Sequence, residues 1–317
     1  MKKLLILLLI PTMLLCGCKG GNKKSITQTQ ILMDTVCTVT ADCSKESLNG
    51  ALALCEELDR LLSRHRPESE VSLINHHDEL ELSKETLEVL AQAIYYCQKT
   101  GGKYDITITP ALNLYDFEKQ KAPTPEEAKK VLYKVGCNRI EVKGNSVDLH
   151  NTDIDFGSIA KGYAADKMVK YLKENGAVNG IVNLGGNVAV FGKEYNVGIK
   201  KPFTDDEVML TVKIKDTSAA TSGIYERGFE KDGKYYHHIL DVKTGMPIEN
   251  ELASVTILGE KASECDVLST VCMILGEKAA LNFINSTPGY EAVFIKKDNS
   301  VFVSDGLKIK DKQVVYK

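Results

Sequence analysis

Helical periodicity dominates the first half of the chain, whereas short strands separated by glycine-containing turns fill most of the second half. Apolar residues recur at helical spacing over 48–62 and 87–94, which predicts two amphipathic helices. From residue 181 onward, short apolar runs are separated by Gly185-Gly186, Asp232-Gly233 and Thr244-Gly245. Because helices and hairpins do not alternate as in βαβ units, the pattern predicts an α+β protein. We expect antiparallel or mixed sheets with packed helices, in two closely fused lobes.

Several further elements have recognisable ends. Thr124 can cap a helix that has Pro125 at its first position, Glu127 completing a capping box and Gly136 at its end. Gly144-Asn145 predicts a hairpin between 139–142 and 146–149. We also predict helices over 159–174, over 262–275 and, shorter, up to 284, and a terminal hairpin of 292–295 and 301–303. The remaining predicted strands are 181–184, 188–191, 197–200, 208–214, 237–240 and 253–258.

The N-terminus has the plan of an export signal. Met1-Lys2-Lys3 precedes an apolar run over 4–15, which is shorter than the roughly 20 residues that span a bilayer. Cys16-Gly17-Cys18 follows and resembles the lipobox of bacterial lipoproteins. This predicts a signal over 1–18 with Cys18 lipidated, a tether over 19–28, and a position on the extracytoplasmic face of the cell membrane. A cleaved signal without lipid is the alternative.

Composition limits the class of the remaining chain. Residues 29–317 have no low-complexity stretch, and 43% of the whole chain is hydrophobic, so we expect one globular unit with a soft internal boundary near 180. Loss of Lys2 and Lys3 takes the formal charge from −3 to −5, and there is no basic stripe with interleaved aromatic residues, which argues against nucleic acid. The seven cysteines after Cys18 form no CxxC pair, which argues against a disulfide framework and a structural zinc site.

The segment from Asp155 to Asp166 runs from an apolar strand pattern through Gly157 into a predicted helix. Free N–H groups at a helix N-terminus can hold phosphate oxygens, and Lys161 adds a positive charge one turn into the helix. Asp155 can accept a hydrogen bond from a ligand. An ordinary capped helix with solvated Lys161 and Asp155 explains the same residues, and the spacing alone does not separate the two readings.

Asp266 and Thr270 lie four residues apart and therefore share a face of the last long helix. A carboxylate and a hydroxyl suit a hard cation such as Mg²⁺, which prefers oxygen ligands. The alternative is structural: Asp266 interacts with the helix dipole and Thr270 fills the core.

Three other places carry polar groups that a ligand could use. Asn183 to Asn187 and the hydroxyl-rich Thr221-Ser222-Gly223 are both read as turns that allow close approach of backbone to a ligand. In His237-His238 one ring faces inward by strand alternation, as a general base or as a core histidine. Tyr104 offers a stacking surface and Asp105 a hydrogen-bond acceptor.

Taken in order, these segments resemble the ApbE family of FAD:protein FMN transferases. The resemblance rests on Met33-Asp34-Thr35, 59–75, 102–110, 155–166, 183–187, 220–223, 238–247 and 265–270. It implies that FAD contacts Met33, His65, Lys103, Tyr104, Asp105, Asp155, Lys161 and Leu240. It implies a Mg²⁺ site at Ser158, Asp266, Ser269 and Thr270, with His238 as the catalytic base. Two positions depart from the family pattern: Asp34 replaces the usual glycine, and His65 replaces a common aromatic residue.

The resemblance also implies the reaction. FMN would pass from FAD to a threonine or serine hydroxyl of an exported flavoprotein domain or redox-complex subunit, with release of AMP and dependence on Mg²⁺. An FAD pyrophosphatase would use the same residues with water as the acceptor. A flavin-binding lipoprotein without chemistry is a third possibility, and the Asp266–Thr270 pair argues against it.

Overall fold

A computed structural model of the protein describes residues 25–76, 80–205 and 207–317, and within them the α+β prediction is confirmed. The α-helices are α1 (Lys45–Leu62), α2 (Glu70–Asn75), α3 (Lys84–Lys99), α4 (Thr109–Leu112), α5 (Pro125–Val131), α6 (Ala160–Glu174), α7 (Ala262–Leu275) and α8 (Glu277–Asn285). The strands up to residue 214 are β1 (Ile26–Leu32), β2 (Thr35–Ala41), β3 (Glu141–Lys143), β4 (Ser146–Asp148), β5 (Gly180–Leu184), β6 (Asn187–Phe191), β7 (Tyr195–Lys200) and β8 (Val208–Ile214). Those after it are β9 (Ser218–Gly223), β10 (Gly228–Lys231), β11 (Lys234–His237), β12 (Leu252–Gly259), β13 (Glu291–Lys296), β14 (Val301–Val303), β15 (Leu307–Lys310) and β16 (Gln313–Tyr316).

One antiparallel sheet of eight strands organises the molecule, in the order β1-β2-β5-β6-β9-β12-β13-β14. Helices α1, α6 and α7 pack against one face. A mixed sheet in the order β15-β16-β8-β7 encloses a second apolar core against the other face. Because β12 is covered on both faces, all eight of its residues are buried. The two lobes thus share this sheet.

Most of the predicted elements are confirmed, with shifted ends. Thr124 and Glu127 form the predicted capping box, but α5 ends at Val131 and continues as a 3₁₀ turn over Leu132–Lys134 before Gly136. The strand expected over 237–240 is Lys234–His237. Strand β1 begins at Ile26, so the last three residues of the expected tether belong to the sheet. Residue 180, the expected soft boundary, is the first residue of β5 in the middle of the sheet.

The prediction about cysteines was wrong in one respect. Cys97 and Cys137 form a disulfide that closes a loop across a sequence separation of 40 residues. Spacing along the chain does not show which cysteines meet in space, and the fold brings the end of α3 against a 3₁₀ turn over Cys137–Arg139. Cys37, Cys55, Cys265 and Cys272 are fully buried thiols.

The N-terminal predictions, from the signal to Cys18, lie outside the described residues. In the described part of the chain, no helix is both long and apolar enough to cross a bilayer.

Helices α6 and α7 are joined by two carboxylates, one on each helix, that accept backbone N–H groups of the other helix. Asp166 on α6 accepts the backbone N–H groups of Ala262 and Ser263 at the start of α7, at 2.8 and 2.9 Å. Asp266 on α7 in turn accepts the N–H of Gly162 at 3.0 Å. A Cβ atom at Gly162 would lie 2.3 Å from the carbonyl oxygen of Ala262, so glycine permits this contact. The junction fixes the start of α6 and the middle of α7 beside each other.

Candidate active site

Two adjoining cavities lie beside the α6–α7 junction. The larger has a volume of about 870 Å³ and the smaller about 140 Å³. The larger falls within the range of roughly 300–1,000 Å³ typical of small-molecule sites. The cavities adjoin, since several residues line both, among them Asp155, Gly157, Lys161, Glu226 and His238.

The structure brings nearly all of the predicted site residues to these cavities. Those on the larger one are Met33, His65, Asp155, Lys161 and His238. Those on the smaller one are Lys103, Tyr104, Asp105, Asp155, Ser158, Lys161, His238, Leu240, Asp266 and Thr270. Ser269 is the exception: it is fully buried, and its hydroxyl donates to the backbone carbonyl of Asp266 at 2.7 Å.

The loop before α6 is held by charged side chains. Asp155 Oδ1 accepts the N–H of Gly157 at 2.8 Å, and Asp155 Oδ2 lies 2.9 Å from Nε of Arg64, an ion pair without the alignment of a hydrogen bond. Lys161 Nζ donates to the carbonyl oxygen of Gly157 at 2.9 Å. Arg64 therefore partly neutralises the carboxylate that the sequence predicts as a ligand acceptor.

The N-terminus of α6 differs from the expected row of free N–H groups. Ala160 N–H donates to the carbonyl of Phe156 at 2.8 Å, and Tyr163 N–H to that of Ile159 at 3.0 Å. Gly162 N–H donates to Asp266. A protein carboxylate thus takes one of the donors expected to bind phosphate, since a helix N-terminus favours any nearby anion.

Asp266 is 3% exposed and lines the smaller cavity. Burial raises the pKa of its carboxyl, while Lys161, the Gly162 N–H and the side chain of Asn187 oppose that shift. Asn187 is itself buried, and its Oδ1 has no hydrogen-bond partner. The Asp266 carboxylate, Asn187 Oδ1 and the Thr270 hydroxyl form a set of oxygen donors, which is the ligand chemistry of Mg²⁺. The residues present therefore fit the cation that the resemblance implies.

Ser222 links Thr270 to the sheet and corrects a second expectation. The predicted turn over Thr221-Ser222-Gly223 is the end of strand β9. Ser222 Oγ lies 2.7 Å from Ser269 Oγ and 3.0 Å from Thr270 Oγ1. These contacts fix the side chain of Thr270 through a strand that the sequence pattern did not reveal.

The two adjacent histidines have different surroundings. His237 is buried and accepts the N–H of Ile239 through Nδ1 at 3.3 Å. His238 lines both cavities, and its Nδ1 lies 3.2 Å from the backbone carbonyl of Arg227. Since a carbonyl only accepts, Nδ1 is the donor and Nε2 is left as the basic atom. Burial, helped by the cations of Arg227 and Lys161, lowers the pKa of His238 to about 4.

The side chains of Tyr104 and Asp105 make hydrogen bonds within the protein. Tyr104 is 2% exposed, and its hydroxyl lies 2.9 Å from Ser158 Oγ, so the ring offers almost no surface for stacking. Asp105 accepts the backbone N–H and the hydroxyl of Thr107 at 2.9 and 2.7 Å, and the N–H of Cys137 at 2.8 Å. The disulfide and this carboxylate together brace one wall of the smaller cavity.

The outer wall of the larger cavity is a tight turn. Met33 and Asp34, between β1 and β2, have φ angles of 51° and 57°, the left-handed region at both central positions of a type I′ turn. Glycine adopts this conformation freely and aspartate tolerates it, which explains why Asp34 can stand where the family usually has glycine. Asp34 and His65 are both exposed at this rim.

The sequence pattern gives no sign of Arg64, of Asn187 as an oxygen donor, or of the pair Glu226-Arg227. Glu226 is an exposed residue that lines both cavities, and the protein around its carboxyl removes part of its hydration, which raises its pKa to about 7. Lys161 opposes that rise and Asp266 adds to it. No local pattern marks these residues, because each reaches the site only through the tertiary fold.

Comparisons of the sequence and of the fold with known proteins point to one family. The model of the ApbE family matches residues 33–294. The FAD:protein FMN transferase of Treponema pallidum is 28% identical, covering 93% of this chain and 92% of its own length, and that of Haemophilus influenzae is 32% identical, covering 84% and 83%. The crystal structure of the ApbE protein from Thermotoga maritima superposes with a TM-score of 0.82 at 27% identity, over 89% of this chain and 97% of its own. The chain belongs to the ApbE family.

Proposed function

We propose that this protein is an FAD:protein FMN transferase that depends on Mg²⁺ and modifies a threonine or serine of an exported acceptor protein. The observation that carries the proposal is the position of His238. It lines both cavities, so it lies between the larger one, which has room for a flavin nucleotide, and the smaller one, which holds Asp266 and Thr270. The matched FAD:protein FMN transferases support the same reaction.

The proposed step is an in-line displacement at phosphorus. The acceptor hydroxyl oxygen forms a bond to the phosphorus of the FMN half, and the pyrophosphate bond breaks, so that AMP leaves with the electron pair. The hydroxyl proton passes to Nε2 of His238, which is unprotonated at neutral pH because burial keeps its pKa at about 4. Lys161 faces both cavities and adds positive charge for the phosphoryl oxygens.

Asp266 and Thr270 would hold the Mg²⁺ ion, and Asn187, whose side chain hydrogen-bonds to Asp266, has a further oxygen, Oδ1, without a partner among the described residues. When bound, the ion would neutralise charge on the pyrophosphate. Ser269 stays a predicted ligand, although its hydroxyl already contacts Ser222 and the Asp266 carbonyl. Arg227 orients His238 through its backbone carbonyl.

The test incubates the full-length protein with FAD, Mg²⁺ and a purified exported flavoprotein acceptor. The acceptor band is read by flavin fluorescence on a denaturing gel while AMP is assayed. A fluorescent band that a chelator abolishes is the expected result. Release of AMP and FMN without a band would indicate the pyrophosphatase instead, and intact FAD would contradict both enzymatic functions.

We also propose that the protein is anchored through a lipid on Cys18 at the extracytoplasmic face of the membrane. The proposal rests on the charged start, the apolar run and the Cys16-Gly17-Cys18 sequence. Labelling cells with radioactive palmitate should mark the wild type and the control C16A, but not C18A. Labelling of C18A would contradict the assignment.

A further inference from the structure

Strand β1 is an edge of the eight-stranded sheet. Its seven residues pair only with β2, in an unbroken antiparallel register from Ile26–Ala41 to Leu32–Thr35. Helix α1 covers part of one face of β1, but no strand of the described residues lies on the outer side of β1. One row of backbone groups is therefore left along the free edge.

The turn determines which backbone groups face outward. In a two-residue type I′ hairpin the residues that flank the turn, Leu32 and Thr35, form a hydrogen-bonded pair. Hydrogen-bonded and non-hydrogen-bonded pairs alternate along antiparallel strands. The N–H and C=O groups of Thr27, Thr29 and Ile31 consequently point away from β2. Within the described residues, no other backbone group bonds to them.

This edge lacks the features that usually prevent strand addition, which are short length, charge, proline and bulges. Strand β1, Ile-Thr-Gln-Thr-Gln-Ile-Leu, has none of them. Elsewhere in the described chain, the edge strand β14 has three residues, β15 carries two lysines, and β7 has a lysine and an irregular register. The small two-stranded sheets are built from strands of three or four residues with charged side chains.

The unprotected edge leads directly to the larger cavity. Met33, Asp34 and Thr35, which follow β1, line its wall. Beside the turn, the cross-strand partners Ile31 and Val36 are 72% and 53% exposed. A strand rises about 3.3 Å per residue, so a segment paired beside Ile31 needs about two more residues to reach the wall of the larger cavity at Met33.

We propose that β1 is the docking edge for the acceptor protein, which adds an extended, uncharged segment as a ninth strand. Outward groups of Thr27, Thr29 and Ile31 would pair with that segment, which would deliver its hydroxyl residue across the Met33-Asp34 turn into the cavity. Strand addition of this kind draws affinity from main-chain hydrogen bonds. The proposal rests on the proposed function, because it assigns the surface that recognises the acceptor of that reaction.

The test replaces Thr29 by proline in the full-length protein. T29P removes an outward N–H but leaves the ladder to β2 intact, since proline is tolerated at such edge positions. T29V is the matched control, because both variants lose the contact between Thr29 Oγ1 and Thr38 Oγ1 at 3.1 Å, whereas T29V keeps its N–H. Initial rates of acceptor labelling are measured against acceptor concentration at saturating FAD.

We expect T29P to raise the KM for the acceptor about tenfold, with T29V near the wild type and FAD binding unchanged in both. If T29P fails to bind FAD, I31K replaces it, with the equally exposed V178K as control; charge on the edge should raise the acceptor KM in I31K alone. A wild-type acceptor KM in the folded edge variant would overturn the proposal. So would a dimer at assay concentrations that T29P disrupts, since the edge would then pair with a second copy.

Failure of the proposed function looks different in this experiment. If the wild type releases no AMP and labels no acceptor, the transferase itself is contradicted, and the docking edge with it. If the wild type labels the acceptor and T29P does so with unchanged KM, the docking edge alone is contradicted.

Discussion

Asp266 and Asp34, two of the aspartates that face the adjoining cavities, lie in regions that are built in different ways. Asp266 is 3% exposed and accepts the Gly162 N–H at 3.0 Å, at a helix junction where a single Cβ atom would collide. Asp34 is exposed, on a two-residue turn at the outer rim. A buried carboxylate with a few fixed partners is costly to change, whereas an exposed one is screened by water. Changes at the buried side should therefore reduce catalysis or stability, and changes at the rim should adjust affinity.

The largest effect is expected from H238N. Removing a general base costs a factor of about 10² to 10⁴ in rate, so the kcat for transfer should fall by about 10³, with the KM for FAD little changed. H237N is the control, because His237 is buried away from both cavities and should affect stability rather than the kcat of the folded enzyme. Steady-state labelling of the acceptor measures both. A kcat in H238N within a factor of about ten of the wild type would contradict the assigned role.

The pH dependence of the transfer rate in the wild type and in H238N tests the pKa of His238. Its pKa is lowered to about 4, so its basic form persists throughout pH 5 to 7. The ratio of wild-type to H238N rate should therefore stay constant over that interval and fall only as the pH drops through about 4. A ratio that falls with a midpoint near 6.5 would show that the ring is hydrated.

The buried side is tested next by D266N, which keeps an acceptor for Gly162 but removes the charge. Loss of a carboxylate that binds a metal should lower the kcat by about 100-fold or more and weaken Mg²⁺ binding, which titration calorimetry measures. D34N, which removes a carboxylate from the rim, is the matched control and should leave Mg²⁺ affinity unchanged. Equal Mg²⁺ affinity in D266N and the wild type would remove Asp266 from the metal site.

G162A tests the close contact itself. Its Cβ would lie 2.3 Å from the Ala262 carbonyl oxygen and 2.8 Å from Asp266 Cβ, so α6 and α7 must separate. Overpacking of this kind lowers the free energy of unfolding by about 1–3 kcal/mol. Denaturant unfolding measures it, with K170A on the exposed side of α6 as a control expected to change by less than about 0.5 kcal/mol. Unchanged stability in G162A would show that the junction is loose.

The smallest effect is expected at the rim. D34G and D34N both remove a negative charge beside the cavity, and each should lower the KM for FAD about twofold to threefold at low salt. The gain should shrink at high salt, because screening weakens exposed charges. If D34G improves the KM and D34N does not, the backbone conformation of the turn rather than its charge limits FAD binding.

Local signals in the sequence account for much of the fold. The capping box at Thr124, the Gly144-Asn145 hairpin and the two periodic helices before residue 100 were predicted because each depends on neighbours within a few residues. The C-terminal strands β15 and β16 were not predicted, since β16 is held by a parallel partner, β8, about 100 residues earlier in the chain. The disulfide was missed for the same reason, because its partners meet only in the folded chain.

The sequence by itself determined the class of the fold and the order of the motifs that resemble the ApbE family, because those depend on residue type and short spacing. Tertiary structure alone decided which groups meet: Asp266 takes the Gly162 N–H, Arg64 pairs with Asp155, and Arg227 orients His238. The tertiary structure also places Glu226 at the cavities, where its pKa is raised to about 7. Burial and the approach of distant charges set these properties, and neither is written in the spacing of residues along the chain.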